Sequence, residues 1–390
     1  MQQPIKRPTA AISQSRTLDR ASLPGQVVLV LQGGGALGSY QAGVYQALHE
    51  AGVAPDWIVG TSIGAINASL IAGNAPQDRL PRLREFWSRM QRAPRWDLRD
   101  LLPGFADKLS YWTTLTQGIP GFFTPNPLAH AGDCYPLGAD QAGYYSTAPL
   151  EATLAELVDF DLINRGCPRL TVGAAHVRTS QMTYFDSGRC KLDAKHIMAS
   201  GALPPAFPAV RVDGELYWDG GVLSNTPTEV VFDDNPRKDS LIFAVHLWNP
   251  SGAEPGTMAE VLNRHKDVQY SSRMASQIIR HQQSHRLRHV INELVERLPD
   301  AERDRPEVRE LMSYGCQTRM HVVQLLAPQL DHEDHTKDVD FTPHGIRQRW
   351  DAGYAHTRAV LEREPWVGQF DPLSGVIVHE AGERRALAAE

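Results

Sequence analysis

Within its first 72 residues the chain twice repeats one figure: an apolar run, a glycine turn and a stretch with helical spacing. Residues 27–31 are an unbroken apolar run of buried-strand length. Gly33-Gly34-Gly35-Ala36-Leu37-Gly38 follows, then Tyr40, Val44, Tyr45 and Leu48 at helical spacing, with Gly52 closing the helix. Trp57-Ile58-Val59 is a second short strand, and it leads through Gly60-Thr61-Ser62-Ile63-Gly64 into a helix carrying Ile63, Ile66, Leu70 and Ile71. Strands that alternate with helices imply a parallel sheet covered on both faces, so the chain is read as an α/β fold. Further strands are expected at 170–177, 182–185 and 241–247, with a hairpin joining 209–212 to 215–218 through Asp213-Gly214.

The two glycine corners carry the chemistry. A G-x-S-x-G run arises by chance, but between a strand and a helix it is what a nucleophile elbow requires, with the Ser62 hydroxyl projecting past the strand end. A helix N-cap serine is the other reading; it fits the local sequence and explains less of the glycine pattern. Gly33, Gly35 and Gly38 also satisfy the dinucleotide fingerprint, which would make the protein a dinucleotide-binding oxidoreductase. That site wants an acidic residue at the far end of the second strand, yet Asp56 precedes that strand and the serine turn occupies its end. Consecutive glycines ahead of a helix equally supply free N–H groups for a negative oxygen, an oxyanion hole beside Ser62. A tight turn with no ligand is the third reading of the loop.

A serine nucleophile needs a base. An α/β-hydrolase has its serine deep in the sequence, then an acid, then a histidine, whereas this serine arrives by residue 62. A dyad is therefore considered, with Asp219 as base: the hairpin delivers its carboxylate, and Gly220 and Gly221 permit a sharp turn beside it. An ordinary Asp-Gly turn is the competing reading.

The remainder bounds the problem. With 390 residues the chain can form one large domain plus attachments, read as a mobile tail (1–25), a main domain (26–249) and a mainly helical module (250–390). A formal charge of -6 argues against a nucleic-acid partner. No apolar run approaches the roughly 18 residues of a spanning helix, and the first 25 residues lack a secretory core, so a cytoplasmic location is expected, with peripheral membrane contact left open. Cys134, Cys167, Cys190 and Cys316 form no C-x-x-C pair, so reduced thiols are expected, with no zinc site and no disulfide framework. Residues 91–148 hold Trp96, Phe105, Tyr111, Trp112, Phe122, Phe123, Tyr135, Tyr144 and Tyr145, about twice the segment's share of aromatics by length, which is too apolar for a linker. They form either a satellite cluster under a loop or a lid or substrate wall.

Residues 258–298 present a loose stripe (Val261, Val268, Met274, Ile278, Val290, Ile291, Leu294, Val295, Leu298) on one long helix or a broken pair. The other face is basic, with Arg264, Lys266, Arg273, Arg280, Arg286, Arg288 and Arg297, read as a solvated face or as a dock for anionic lipid or a partner. A strand at 321–326 and a helix at 345–364 complete the C-terminal module. Asp331, His332, Glu333, Asp334 and His335 lack the spacing of a metal site and read as a polar loop.

In four ordered blocks the chain resembles the bacterial patatin-like phospholipases: Gly33-Gly34-Gly35-Ala36-Leu37-Gly38; Gly60-Thr61-Ser62-Ile63-Gly64; residues 199–208 (Ala199 to Pro208); and Asp219-Gly220-Gly221-Val222 with Asn225-Thr226-Pro227. The resemblance implies a three-layer sandwich with a mostly parallel central sheet. It also implies a Ser62–Asp219 dyad without histidine, an oxyanion hole from the N–H groups around Gly33, Gly34 and Gly35, no metal or cofactor, and an acyl-ester lipid substrate. Leu37 departs from the Lys or Arg that many members carry there, which puts a head-group contact from this position in doubt. Asn249-Pro250, His335-Thr336-Lys337-Asp338 and Phe341 are similar to a C-terminal region of some such proteins, whose function is not implied. Hydroxyacyl oligomers are the competing substrate, and a vestigial dyad on a membrane-surface protein that docks through Arg280, Arg286 and Arg288 is the competing class. Oligomeric state is left open.

Overall fold

The five apolar residues of the first run are all fully buried because the strand they form lies inside a parallel sheet with helices on both faces. In the computed structural model, which describes residues 17–92, 114, 116–130, 136–271, 274–330 and 333–380, that strand is β1 (Gln26–Leu31). It pairs in parallel with β2 (Trp57–Thr61), Leu31 opposite Gly60. β3 (Thr124–Pro125) and β4 (Tyr145–Ser146) make a separate two-stranded ribbon. β5 (Arg169–His176) continues the main sheet in parallel on β2 and carries β6 (Met182–Asp186) and β8 (Glu215–Asp219) antiparallel. β7 (Val210–Val212) closes that edge as the hairpin partner of β8, and the turn between them, Asp213-Gly214, has positive φ at both residues, as a two-residue hairpin turn requires. On the other side of β1 lie β9 (Ser240–His246), β10 (Met320–Leu326) and β11 (Val376–Glu380), all parallel. The nine-stranded order is β11-β10-β9-β1-β2-β5-β8-β7, with β6 on β5. The expected strands fall within a residue or two of those observed.

The main helices are α1 (Ser39–Glu50), α2 (Ile63–Ala72), α3 (Pro76–Met90), α4 (Ala148–Leu157), α5 (Ala194–Ser200), α6 (Met258–Ser271), α7 (Met274–Glu296) and α8 (Pro343–Arg363). All ten residues of α2 are buried, which is why its apolar pattern runs all round the helix. α8 crosses α1 in backbone contact: a Cβ on Gly43 would lie 1.9 Å from the Trp350 carbonyl oxygen, and one on Gly353 2.1 Å from that of Tyr40. Trp350 Nε1 donates to Gln46 and the Tyr354 hydroxyl to Glu50, each at 2.7 Å, on either side of that crossing. Residues after 250 thus share one sheet and one core with those before it.

Several expectations are revised. Residues 1–16 of the expected tail lie outside the described residues, but Leu23 is buried in the core and Arg20 bonds Asp56 at 2.6 Å, so the chain is anchored before β1 begins. The stripe over 258–298 does not face inward as one surface. Ile278 and Val295 are buried, whereas Val261, Val268 and Leu294 are exposed, and the inward face of α6 is polar: Asn263, Asp267 and Ser271. The cause is a buried ion pair, Lys337 Nζ to Asp267 at 2.8 Å, which turns that side of the helix toward the protein. Of the basic residues, Arg264 donates to the Asn249 and Pro250 carbonyls, Lys266 pairs with Asp338, Arg286 with Asp371 and Arg297 with Glu293; Arg273 lies outside the described residues. Cys167, Cys190 and Cys316 are free thiols, and Cys134 lies outside the described residues. No helix among the described residues is long and apolar enough to cross a membrane.

The helix crossing makes the first test. Gly43→Ala should lower unfolding free energy by roughly 1–3 kcal/mol through overpacking. Gly256→Ala, whose added methyl would meet nothing closer than 3.7 Å, should leave it unchanged, both read from urea denaturation midpoints.

Candidate active site

Because Leu31 stands opposite Gly60, the loops after β1 and β2 leave the sheet at the same rim. Ser62 sits at the second corner with φ 57° and ψ −126°, a conformation that costs a non-glycine residue roughly 1–3 kcal/mol and is kept only when its surroundings impose it. They do. The Ser62 N–H donates to both the carbonyl and the hydroxyl oxygen of Ser200, each at 3.1 Å, and the Ser200 hydroxyl donates to the Gly173 carbonyl at 2.6 Å. The corner also needs backbones in contact: a Cβ on Gly60 would be 2.4 Å from the Gly64 carbonyl oxygen, and one on Gly64 2.2 Å from that of Leu31. Ser62 makes no side-chain cap on α2, so the N-cap reading does not hold and its hydroxyl is directed elsewhere.

It is directed at Asp219. β5 links the two, with Gly173 opposite Thr61 of β2 and Ala174 opposite Asp219 of β8. Asp219 is 2% exposed; it accepts the Gly221 N–H at 2.7 Å and a hydrogen bond from the Ser62 hydroxyl. The Asp-Gly turn and the partner of Ser62 are therefore the same residue in two roles, with Gly220 and Gly221 forming the turn. Burial pushes its carboxyl up from 3.8 to about 6, and the bonds from Ser62 and Gly221 only partly offset that.

The glycine loop differs in one respect from the expectation. The Gly33 N–H is already taken, donating to the Asn225 side chain at 3.1 Å and to its carbonyl at 3.3 Å, so it is not free for a substrate oxygen in this structure. The N–H groups of Gly34 and Gly35 have no acceptor among the described residues; Gly35 has φ +56° and begins the 3-10 turn that runs through Gly38 into α1. Asn225 also donates to the Gly33 carbonyl at 3.2 Å, Trp248 Nε1 donates to it at 2.8 Å, and Gln32 accepts from the Leu247 and Trp248 N–H groups. Leu37 is buried in the core and is not among the residues lining the cavity beside Ser62. Asp56 accepts the Val27 N–H at 2.7 Å, at the end of the sheet opposite the loop, so no acid waits for a ribose and the dinucleotide reading loses its partner.

Ser62, Asp219 and Gly33 to Gly35 open on one cavity of about 960 Å³, its mouth included. The walls are apolar: Ile63, Ile66, Leu203 and Phe207, then Phe122, Phe123 and Tyr145 of the expected insertion, and Trp248, Val339 and Phe341. Of the described aromatics of 91–148, Phe122, Phe123 and Tyr145 thus form a wall of this chamber, in edge contacts such as Phe123–Tyr145 at 4.9 Å, whereas Tyr144 is exposed; Trp96, Phe105, Tyr111, Trp112 and Tyr135 lie outside the described residues. Sequence reasoning missed Gln32, Asn225, Ser200, Tyr270 and Phe341, although Asn225 and Ser200 stand inside the motif blocks. In the polar stretch 331–335, Glu333 pairs with Arg349 and Asp334 accepts from Thr336; Asp331 and His332 lie outside the described residues. Among the described residues no group of three His, Cys, Asp or Glu could hold a metal ion.

A family model described as patatin-like phospholipase matches residues 29–232, and a second, described as patatin phospholipase, matches 268–373. Lysophospholipase nte1 of Aspergillus terreus is 29% identical over 266 residues, 61% of this chain and 14% of its own length. Patatin-like phospholipase domain-containing protein 7 of Mus musculus is 26% identical over 226 residues, 58% of this chain and 14% of its own. An uncharacterized NTE family protein of Mycobacterium tuberculosis is 30% identical over 213 residues, 53% of this chain and 28% of its own. The chain thus matches only a minor part of the length of these relatives. Among solved structures, VipD of Legionella pneumophila is similar over 91% of this chain and 72% of its own, at 17% identity and a TM-score of 0.37.

The raised carboxyl sets a stability test. Between pH 3.8 and about 6 the unfolded chain has released a proton that the folded Asp219 still holds, so folding weakens as pH rises through that window, by roughly 3 kcal/mol in total. Asp219→Asn removes this cost. It should match the wild type near pH 3 and exceed it by up to that amount at pH 8, read from denaturation midpoints; an equal difference at both pH values would contradict the assignment.

Proposed function

The chain belongs to the patatin-like phospholipase family, and from that premise we propose that it is a serine acyl hydrolase of glycerolipid esters working through a Ser62–Asp219 dyad. The observation that carries this reading is the hydrogen bond from the Ser62 hydroxyl to an almost wholly buried carboxylate, at the rim of an apolar chamber. Asp219 takes the hydroxyl proton as Ser62 Oγ bonds to the ester carbonyl carbon. The carbonyl oxygen becomes an oxyanion facing the N–H groups of Gly34 and Gly35, which are held in place beforehand by Asn225 and Trp248 and so need no reorganisation. Asp219 then passes its proton to the departing alkoxide, leaving an acyl-enzyme. Water attacks that ester with Asp219 again as base; as the acyl–Oγ bond breaks, Ser62 Oγ takes the proton back from Asp219 and the acid leaves.

The raised carboxyl suits both halves of this cycle: at neutral pH it is ionised and accepts a proton, yet it is a stronger base than an exposed aspartate. Acyl chains fit the walls of Ile63, Ile66, Phe122, Phe123, Phe207 and Phe341. No step calls for a metal or an organic cofactor.

A fluorophosphonate should modify Ser62, and Ser62→Ala or Asp219→Asn should lower kcat/KM for a long-chain acyl ester by about a thousandfold or more. The wild-type kcat/KM should fall as pH drops through about 6, where Asp219 gains its proton and can no longer act as base. A folded Ser62→Ala protein with undiminished esterase activity would falsify the mechanism.

A further inference from the structure

Tyr270 lies in the last turn of α6, beyond every catalytic motif, yet it lines the chamber that holds Ser62 and Asp219. It is fixed there by three contacts. Its ring packs 4.9 Å from the ring of Trp248, and its carbonyl accepts from Gln32 Nε2 and Asn225 Nδ2, each at 3.3 Å. These are the side chains that brace the glycine loop, so Tyr270 is held against the same frame as the oxyanion donors. Its hydroxyl has no hydrogen-bond partner among the described residues. Burial raises its pKa, and the nearby charges of Asp219 and Asp338 raise it further, so the phenol remains protonated and serves as a donor.

Tyr270 also stands at a seam. Together with Gly221 and Asn225 it lines both the apolar chamber and a narrower polar crevice formed by Ser224, Thr226, Gln269, Ser271 and Gln277. An ester whose acyl chain fills the chamber and whose alkoxy oxygen lies toward Gly221 and Asn225 has that oxygen at the seam. The same atom must come within reach of Asp219, which returns a proton to it, and the Asp219 charge acts on the Tyr270 hydroxyl.

We propose that Tyr270 is a further catalytic residue, whose hydroxyl hydrogen-bonds the alkoxy oxygen of the substrate as the acyl–oxygen bond breaks. The inference rests on the Ser62–Asp219 reading. As the tetrahedral intermediate collapses, the bonding pair goes to the alkoxy oxygen, that oxygen takes the proton Asp219 received from Ser62, and Tyr270 keeps its own proton throughout. In deacylation the attacking water occupies the same place and donates to Asp219 while accepting from Tyr270.

The test varies the leaving group. A donor to the departing oxygen matters most when that oxygen leaves as a strongly basic alkoxide, and little when it leaves as a stabilised phenolate. Tyr270→Phe should lower kcat/KM for a monoacylglycerol about 10- to 100-fold, the worth of a hydrogen bond to a developing charge. It should change kcat/KM for the para-nitrophenyl ester of the same acid by less than about threefold. Fluorophosphonate labelling of Ser62, which expels fluoride and needs no alkoxide, should keep its wild-type rate. An equal loss on both esters, no loss on either, or a lost labelling rate in a folded variant would each overturn the proposal. Absence of Ser62 labelling in the wild type would instead overturn the dyad. Should Tyr270→Phe fail to fold, fluorotyrosine at position 270 keeps the shape and strengthens the donor. The ratio of the two esterase activities must then shift, and an unchanged ratio would overturn the role of Tyr270.

Discussion

The parallel register that sets Leu31 opposite Gly60 governs the rest of the molecule. Once two neighbouring strands end at the same level, the chain leaving each must turn at once into a helix, and both turns compete for one small volume. Glycine resolves the competition at Gly60 and Gly64, where backbone meets backbone at distances no side chain allows. Because those turns are crowded, Ser62 is forced into its positive-φ corner and its hydroxyl is pushed out past the strand end. Extending the same parallel register to β5 brings the antiparallel β8 alongside, and Asp219 arrives at the same rim from more than 150 residues away.

Such a site opposes stability in two ways. The Ser62 backbone is strained, and Asp219 carries a charge at a position almost wholly buried. Both are tolerated because the surroundings are over-determined: Ser200 holds the Ser62 N–H twice over, the Gly221 N–H and the Ser62 hydroxyl satisfy the carboxylate, and β1 and β9 are buried along nearly their whole length. Local strain and core stability are therefore coupled through a few hydrogen bonds at one end of the sheet.

The strands, both corners and the hairpin turn were legible because each is a local pattern, a period of two or 3.6 or a glycine where the backbone must bend. From its own residues Asp219 was legible only as a candidate base with an ordinary turn as the competing reading, and the family resemblance implied the rest, since its approach to Ser62 depends on a strand pairing that no local pattern encodes. The engagement of the Gly33 N–H by Asn225 was hidden for the same reason: the two residues are 192 positions apart. The stripe on α6 misled because periodicity identifies the apolar side of a helix and not which side faces inward, and a buried Lys337–Asp267 pair decided that question. Tyr270 carried no signal at all, and Phe341 only that of a residue similar to a C-terminal region whose function was not implied.

The last feature concerns time. Ser62 and Asp219 leave the ribosome while Tyr270, Val339 and Phe341 are still being translated, and β10, the strand that carries the sheet beyond β9, follows β9 by more than 70 residues. A growing chain therefore carries Ser62 and Asp219 before it can enclose the chamber they line, and for that interval the apolar walls already made stand open to solvent. Enclosure of the chamber therefore depends on residues beyond position 250 as much as on the motif-bearing half.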